Sequence, residues 1–202
     1  AAMGAVSGFL SPIINTFFIA SSFSSENLYP HGSHPITDYL WSGDNHKLVH
    51  HGCDLNRLEK TRHISKNELA LKTLRVCWKH PKDYNCSKCR KCALTMMALD
   101  ICNSLSKANT FKTTDTNDLI DLAKSADFVN KASRIYFDEL IDGYQKKNPE
   151  NPILLQLRET RHKQFFKIAN ENIKSLCSKI IKTIQNTKYN CFAKNTRFKL
   201  NE

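Results

Sequence analysis

The chain has 202 residues, of which 41% are hydrophobic and 24% charged, enough apolar material to bury a core of its own. It has no internal repeat or low-complexity tract, which excludes solenoid and compositionally biased classes. The formal charge of +11 is uneven: residues 1–50 carry one lysine against three acids, residues 51–110 twelve basic against five acidic, and residues 111–202 seventeen against eleven. This excess suits an anionic partner such as a nucleotide, an RNA or an acidic surface, with solvated helix faces as the plainer reading.

In chain order, residues 1–10 read as a short helix of small residues. The segment from Ala1 to Phe23 is apolar, but it lacks a basic leader and is broken by Pro12, Asn15 and Thr16, so neither a signal peptide nor a membrane span is expected. The chain opens without Met on what resembles mid-helix sequence, and a piece of a longer product is expected. Ile13 to Ala20 has the length and apolar content of a strand covered on both faces in a parallel sheet. A polar loop follows, then Tyr29 to Pro35, shaped by two prolines and a glycine, and a short helical stretch from Ile36 to Trp41. Lys47–His51 predicts a second strand. Leu55 to Leu74 predicts helical turns, with a short strand over Leu74–Trp78. Ala93–Leu99 predicts a helix with Leu94, Met97 and Ile101 at helical spacing. Beyond residue 112 the pattern is helical alone: two helices with Leu119, Leu122, Phe128, Ile135, Leu140, Ile141 and Tyr144 as core candidates, breaks at Asn148-Pro149 and Asn151-Pro152, and a long amphipathic helix from Leu154 to Ile184. Lys188 to Glu202 reads as a loose basic tail. The expected fold is therefore α/β, a partial parallel sheet with a zinc knuckle over residues 1–110, then an all-α extension over 111–187 and a basic tail over 188–202.

Eight cysteines are present, three of them within the run Cys86-Ser-Lys-Cys89-Arg-Lys-Cys92. That spacing suits metal thiolates rather than a secreted disulfide framework, so a reducing, cytoplasmic setting is expected. A structural zinc ion takes four donors in a tetrahedron. The run supplies three, and Cys77 is the natural fourth, with Trp78 to Asn85 looping back to Cys86. Lys79, Lys82, Lys88, Arg90 and Lys91 surround the cluster and favour ionised thiolates. An iron–sulfur cluster would also fit four cysteines, and His80 is a less natural substitute for one thiolate. Cys53, Cys102, Cys177 and Cys191 lack ligand spacing and read as free thiols.

The spacing Cys77-x8-Cys86-x2-Cys89-x2-Cys92 occurs with three ordered segments: Gly32-Ser33-His34-Pro35 leading to Asp38-Tyr39-Leu40-Trp41, His51-Gly52 leading to Arg57-Leu58-Glu59-Lys60, and Leu74-Arg75-Val76-Cys77-Trp78. Together, over roughly residues 1–105, they resemble the C-terminal half of the 7-cyano-7-deazaguanine synthase group, in the PP-loop ATP pyrophosphatase superfamily. The resemblance implies a queuosine-biosynthesis-like enzyme that adenylates a carboxylate and then forms an amide or nitrile. It implies substrate contacts from Ser33, His34, Asp38, His51, Arg57 and Lys60, with Lys60 near the nucleotide phosphates. The Ser-Gly-Gly-x-Asp-Ser loop that holds ATP in such enzymes is not among these residues, so ATP is expected to enter through an N-terminal half or a partner subunit, the isolated chain being inactive. Ser87 stands where the group usually has Gly, and Leu94 where Arg is common. The rival reading is a zinc-stabilised basic module that binds nucleic acid or a partner subunit without catalysis; against it, the basic residues are not interleaved with exposed aromatics, as single-strand platforms require.

Overall fold

The computed structural model describes residues 2–30, 32–79, 84–112 and 114–197, with side chains through Thr183. Small residues form α1 (Ala2–Phe9), and the chain keeps turning through Leu10, whose carbonyl accepts from the amides of Ile13 and Ile14. That extra turn delays the first strand, so β1 is Thr16–Ala20 and not the longer run that its apolar content suggests. It pairs in parallel with β2 (Lys47–His51), Thr16 opposite Lys47 and Ala20 opposite His51. Side chains alternate across a strand, so Phe17, Ile19, Leu48 and His50 share one face. α2 (Pro35–Asp38) and the 3-10 turn Tyr39–Trp41 pack against this face. The other face is open, with Phe18 61% exposed. The expectation of a strand covered on both faces therefore fails, because among the described residues no element packs on the Phe18 side.

The main core lies beyond the sheet. α3 (Arg57–Ile64) starts with a capping box in which Asn56 accepts from the amide of Glu59 and Glu59 accepts from the amide of Asn56. α4 (Glu68–Thr73) follows, capped by Asn67. Leu74–Cys77 do not form the expected strand, because their polar backbone groups are claimed by one side chain: Asn85 Oδ1 accepts from the amides of Val76 (2.9 Å) and Cys77 (3.2 Å), and its Nδ2 donates to the Leu74 carbonyl (2.8 Å).

α5 (Arg90–Ile101) is the central helix, buried nearly all round from Cys92 to Ile101 rather than along a single stripe. α6 (Thr116–Lys124) and α7 (Lys131–Lys147) pack against it, and α8 (Pro152–Arg197) packs against both of them. Asn151 starts α8 by accepting from the Ile153 amide, with Pro152 in the first turn, where its missing N–H costs nothing. One buried cluster runs from Leu58 to Leu157 and crosses residue 110, so the helical segment shares its core with the cysteine-bearing segment. Residues 188–197 continue α8 and are not the loose tail expected there; 198–202 lie outside the described residues. The chain is thus mainly helical, with a small parallel sheet at one end. Among the described residues no helix is long and apolar enough to cross a membrane.

Candidate metal centre and ligand clefts

The four cysteines converge from two directions. Cys77 ends the segment pinned by Asn85, Cys89 is the N-cap of α5 and Cys92 lies in its first turn. Their sulfurs all lie within 4.8 Å of one another, with separations of 3.5 Å for Cys89–Cys92, 3.8 Å for Cys86–Cys92 and 3.9 Å for Cys77–Cys89. These are far longer than a disulfide bond. Four sulfurs at about 2.3 Å from a zinc ion form a tetrahedron with edges near 3.8 Å, so the cluster already has the dimensions of such a site. Cys77 and Cys92 are fully buried and Cys86 and Cys89 partly so. The four can hold a metal ion such as zinc.

The backbone favours anionic sulfur here. The Cys86 amide lowers the Cys77 thiol, against the opposing effect of burial, to about 6; the Cys89 amide donates to Cys86 Sγ at 3.3 Å. Burial, and then the neighbouring Cys89 sulfur, push Cys92 well up. Crowded thiols with opposed affinities for protons are the starting state expected where a metal displaces those protons. Ser87 sits in the turn between Cys86 and Cys89 with φ of +58°, a left-handed conformation that favours glycine. Its hydroxyl accepts from the Lys112 amide at 2.8 Å, which ties the turn to the segment before α6. His80 and Lys82 lie outside the described residues, as does the side chain of Cys191.

Comparisons with protein-family models, with curated proteins and with solved structures find no match.

The six residues assigned by resemblance to substrate fall into three groups. Ser33, His34 and Asp38 meet at the covered sheet face. Asp38 Oδ2 accepts from Ser33 Oγ (2.5 Å) and from His50 Nδ1 (2.6 Å), while Oδ1 accepts from the His34 amide (3.1 Å). Burial pushes the Asp38 carboxyl up, but these hydrogen bonds outweigh it and hold the group below its ordinary value. With the carboxylate as acceptor, His50 carries its hydrogen on Nδ1, leaving Nε2 buried without a protein partner. The His34 ring caps α2 by accepting from the Ile36 amide. Beside this group is a cavity of ≈ 250 Å³ lined by Met3, Gly4, Ile19, Ser33, Asp38 and Trp41, among others.

Arg57 and Lys60 line a second cavity of ≈ 350 Å³ with Ser21, Ser22, Thr61 and Thr95. Ser21 directly follows β1, so this cavity opens at the C-terminal end of the parallel pair, where α/β sheets gather ligands. Lys60 Nζ donates to the Ser21 carbonyl at 2.9 Å. Burial, and then the nearby Arg57 charge, lower its proton affinity, as expected of two cations sharing a cavity. Arg57 stacks over the Tyr136 ring at 4.2 Å. His51 is exposed on the open face, its ring edge-on to Phe18. The structure therefore divides the assigned residues between two clefts and the open face. It adds His50, which the alternation in Lys47–His51 could have revealed: Leu48 is buried, and a strand period of two turns His50 the same way.

Proposed function

We propose that this chain is the C-terminal half of a PP-loop-type ATP-dependent enzyme resembling the 7-cyano-7-deazaguanine synthases, with zinc on Cys77, Cys86, Cys89 and Cys92 as a structural clamp. The observation that carries the reading is the cavity beside Arg57 and Lys60, at the C-terminal end of a parallel strand pair and backed by Leu74, Val76 and Thr95 from the knuckle segment and α5. Two cations with hydroxyls around them suit a carboxylate or phosphate, each cation offering a charge-assisted hydrogen bond. Zinc held by Cys77, Cys86, Cys89 and Cys92 would supply no chemistry at this cavity; it would fix the segment that leads from Leu74 to Cys77 and the start of α5. Asp38 orients Ser33 and His50 beside the neighbouring cleft.

A second support is the unfinished sheet. Parallel sheets are covered on both faces, whereas here Phe18 is 61% exposed on the open face. An N-terminal ATP-binding half or a partner subunit adding strands would cover this surface. Free thiols and a thiolate cluster fit a reducing cytoplasm.

The reading is tested by calorimetric titration of the zinc-loaded chain with pyrophosphate and with a carboxylate-bearing deazapurine. Binding of at least one of them is expected, weakened roughly 10- to 100-fold by Lys60→Ala, the loss of one charged hydrogen bond. No binding of either, or binding indifferent to Lys60→Ala, contradicts it.

A further inference from the structure

The outer surface of the knuckle carries a feature that the ligand clefts leave unused. Trp78 is 84% exposed and Tyr84 56% exposed, near the two ends of the segment between Cys77 and Cys86. Lys91 Nζ lies over the Trp78 ring at 3.3 Å from its centroid. Lys79, Lys88 and Arg90 are exposed as well; Arg90 has a carboxylate neighbour, Asp127, at 3.7 Å, and Lys88 shares a cavity lining with Asp118 and Asp121.

These cations are also placed against the helix field. The first turn of α5 contains Arg90 and Lys91 and no acid, although the N-terminal end of a helix is its positive end and favours anions. A four-thiolate metal centre would offset part of this charge, and the cations outnumber what it would neutralise once Lys79 and Lys88 are added to Arg90 and Lys91. The surface therefore presents an indole face among cations whose combined field is relieved by an anion arriving from outside.

Trp78 and Lys91 lie far apart in sequence. The cluster brings them together: Trp78 follows Cys77, Lys91 precedes Cys92, and convergence of those two cysteines sets ammonium over indole.

We propose that this surface docks single-stranded nucleic acid, with Trp78 stacking on a base and Lys79, Lys88 and Lys91 contacting backbone phosphates. A polymer that offers a π-face and a negative charge at every unit matches an exposed ring set beside cations. An acidic peptide matches only the charge, and a duplex keeps its bases stacked away from the indole. Because the platform is assembled by the four cysteines, it exists only while the knuckle is closed.

The test is fluorescence anisotropy on the zinc-loaded full chain with an end-labelled mixed-sequence single-stranded RNA, the corresponding DNA, the DNA duplex and an oligoglutamate peptide. Single strands are expected to bind best, with affinity falling linearly in log salt by a slope of about −0.7 per phosphate contact. Trp78→Ala is expected to lower affinity roughly 5- to 150-fold and Trp78→Phe far less, since stacking is worth about 1–3 kcal/mol per base. Lys91→Ala is expected to flatten the salt slope by about one contact. Trp78 is exposed, so unchanged circular dichroism keeps the variants interpretable. Equal or tighter binding of the duplex or the peptide, or affinity indifferent to Trp78→Ala, overturns the proposal.

Discussion

Asn85 does more structural work than its place in an irregular loop suggests. It is 1% exposed and satisfies three backbone groups on Leu74, Val76 and Cys77, besides donating to Thr110 Oγ1 at 3.0 Å. Asn85→Ala removes the acceptor of the Val76 and Cys77 amides, while the Leu74 carbonyl still accepts from Thr110 Oγ1 at 2.8 Å, and the expected loss is about 1–3 kcal/mol, readable in urea unfolding of the zinc-loaded chain; a loss below about 0.5 kcal/mol would show that Asn85 is not what holds Cys77 in place. Asp38 gives a prediction with a sign in pH. Its folded carboxyl is held below its ordinary value, so the stability it contributes is present above the ordinary carboxylate range and is lost as pH falls through the lower folded value. Asp38→Asn is expected to lower the melting temperature at neutral pH, with the gap to the parent closing in acid below about pH 4. A gap that stays constant down to pH 3 contradicts the assignment. At this scale the cysteine ligands were readable, because their spacing is itself the chemical requirement. Asn85 and His50 were not singled out, since their roles depend on partners distant in sequence, although the parity of His50 with Leu48 was available.

Helices were easier to read than strands. Asn56, Asn67, Asp115, Asn130 and Asn151 cap the starts of α3, α4, α6, α7 and α8 by accepting backbone amides, and apolar spacing located the bodies of these helices. The strand expected over Leu74–Trp78 failed because β propensity reflects a pleated, half-buried setting that neighbours must supply, and here Asn85 supplies the hydrogen bonds instead. A close approach between α7 and α3 offers a test. A Cβ placed at Gly143 would lie 2.5 Å from Leu58 Cδ2 and 3.0 Å from Ile101 Cδ1. Overpacking costs about 1–3 kcal/mol, offset by up to about 1 kcal/mol of helix propensity, so Gly143→Ala is expected to be destabilising on balance. Gly8→Ala, with nothing within 4 Å of the added Cβ, keeps the propensity gain and is expected to stabilise α1. Thermal melts of the two variants moving in the same direction would contradict this packing.

At the scale of the molecule, the small sheet and the helical body meet through α3, whose Leu58 joins the buried cluster while Lys60 reaches back to Ser21 after β1. Composition announced a basic chain with a core, but not that the core would run unbroken across residue 110, since periodicity assigns faces without saying which faces meet. The cluster of four cysteines is what ties these parts together. Cys77 leads from the wall of the Lys60 cavity, Cys92 starts the central helix, and both proposed binding surfaces border the same knuckle. The most direct test is metal analysis of chain purified under reducing, chelator-free conditions, with X-ray absorption at the zinc edge. About one zinc per chain, bound by four sulfurs at about 2.3 Å, is the predicted result. Absence of zinc, or coordination by nitrogen and oxygen alone, would contradict the account.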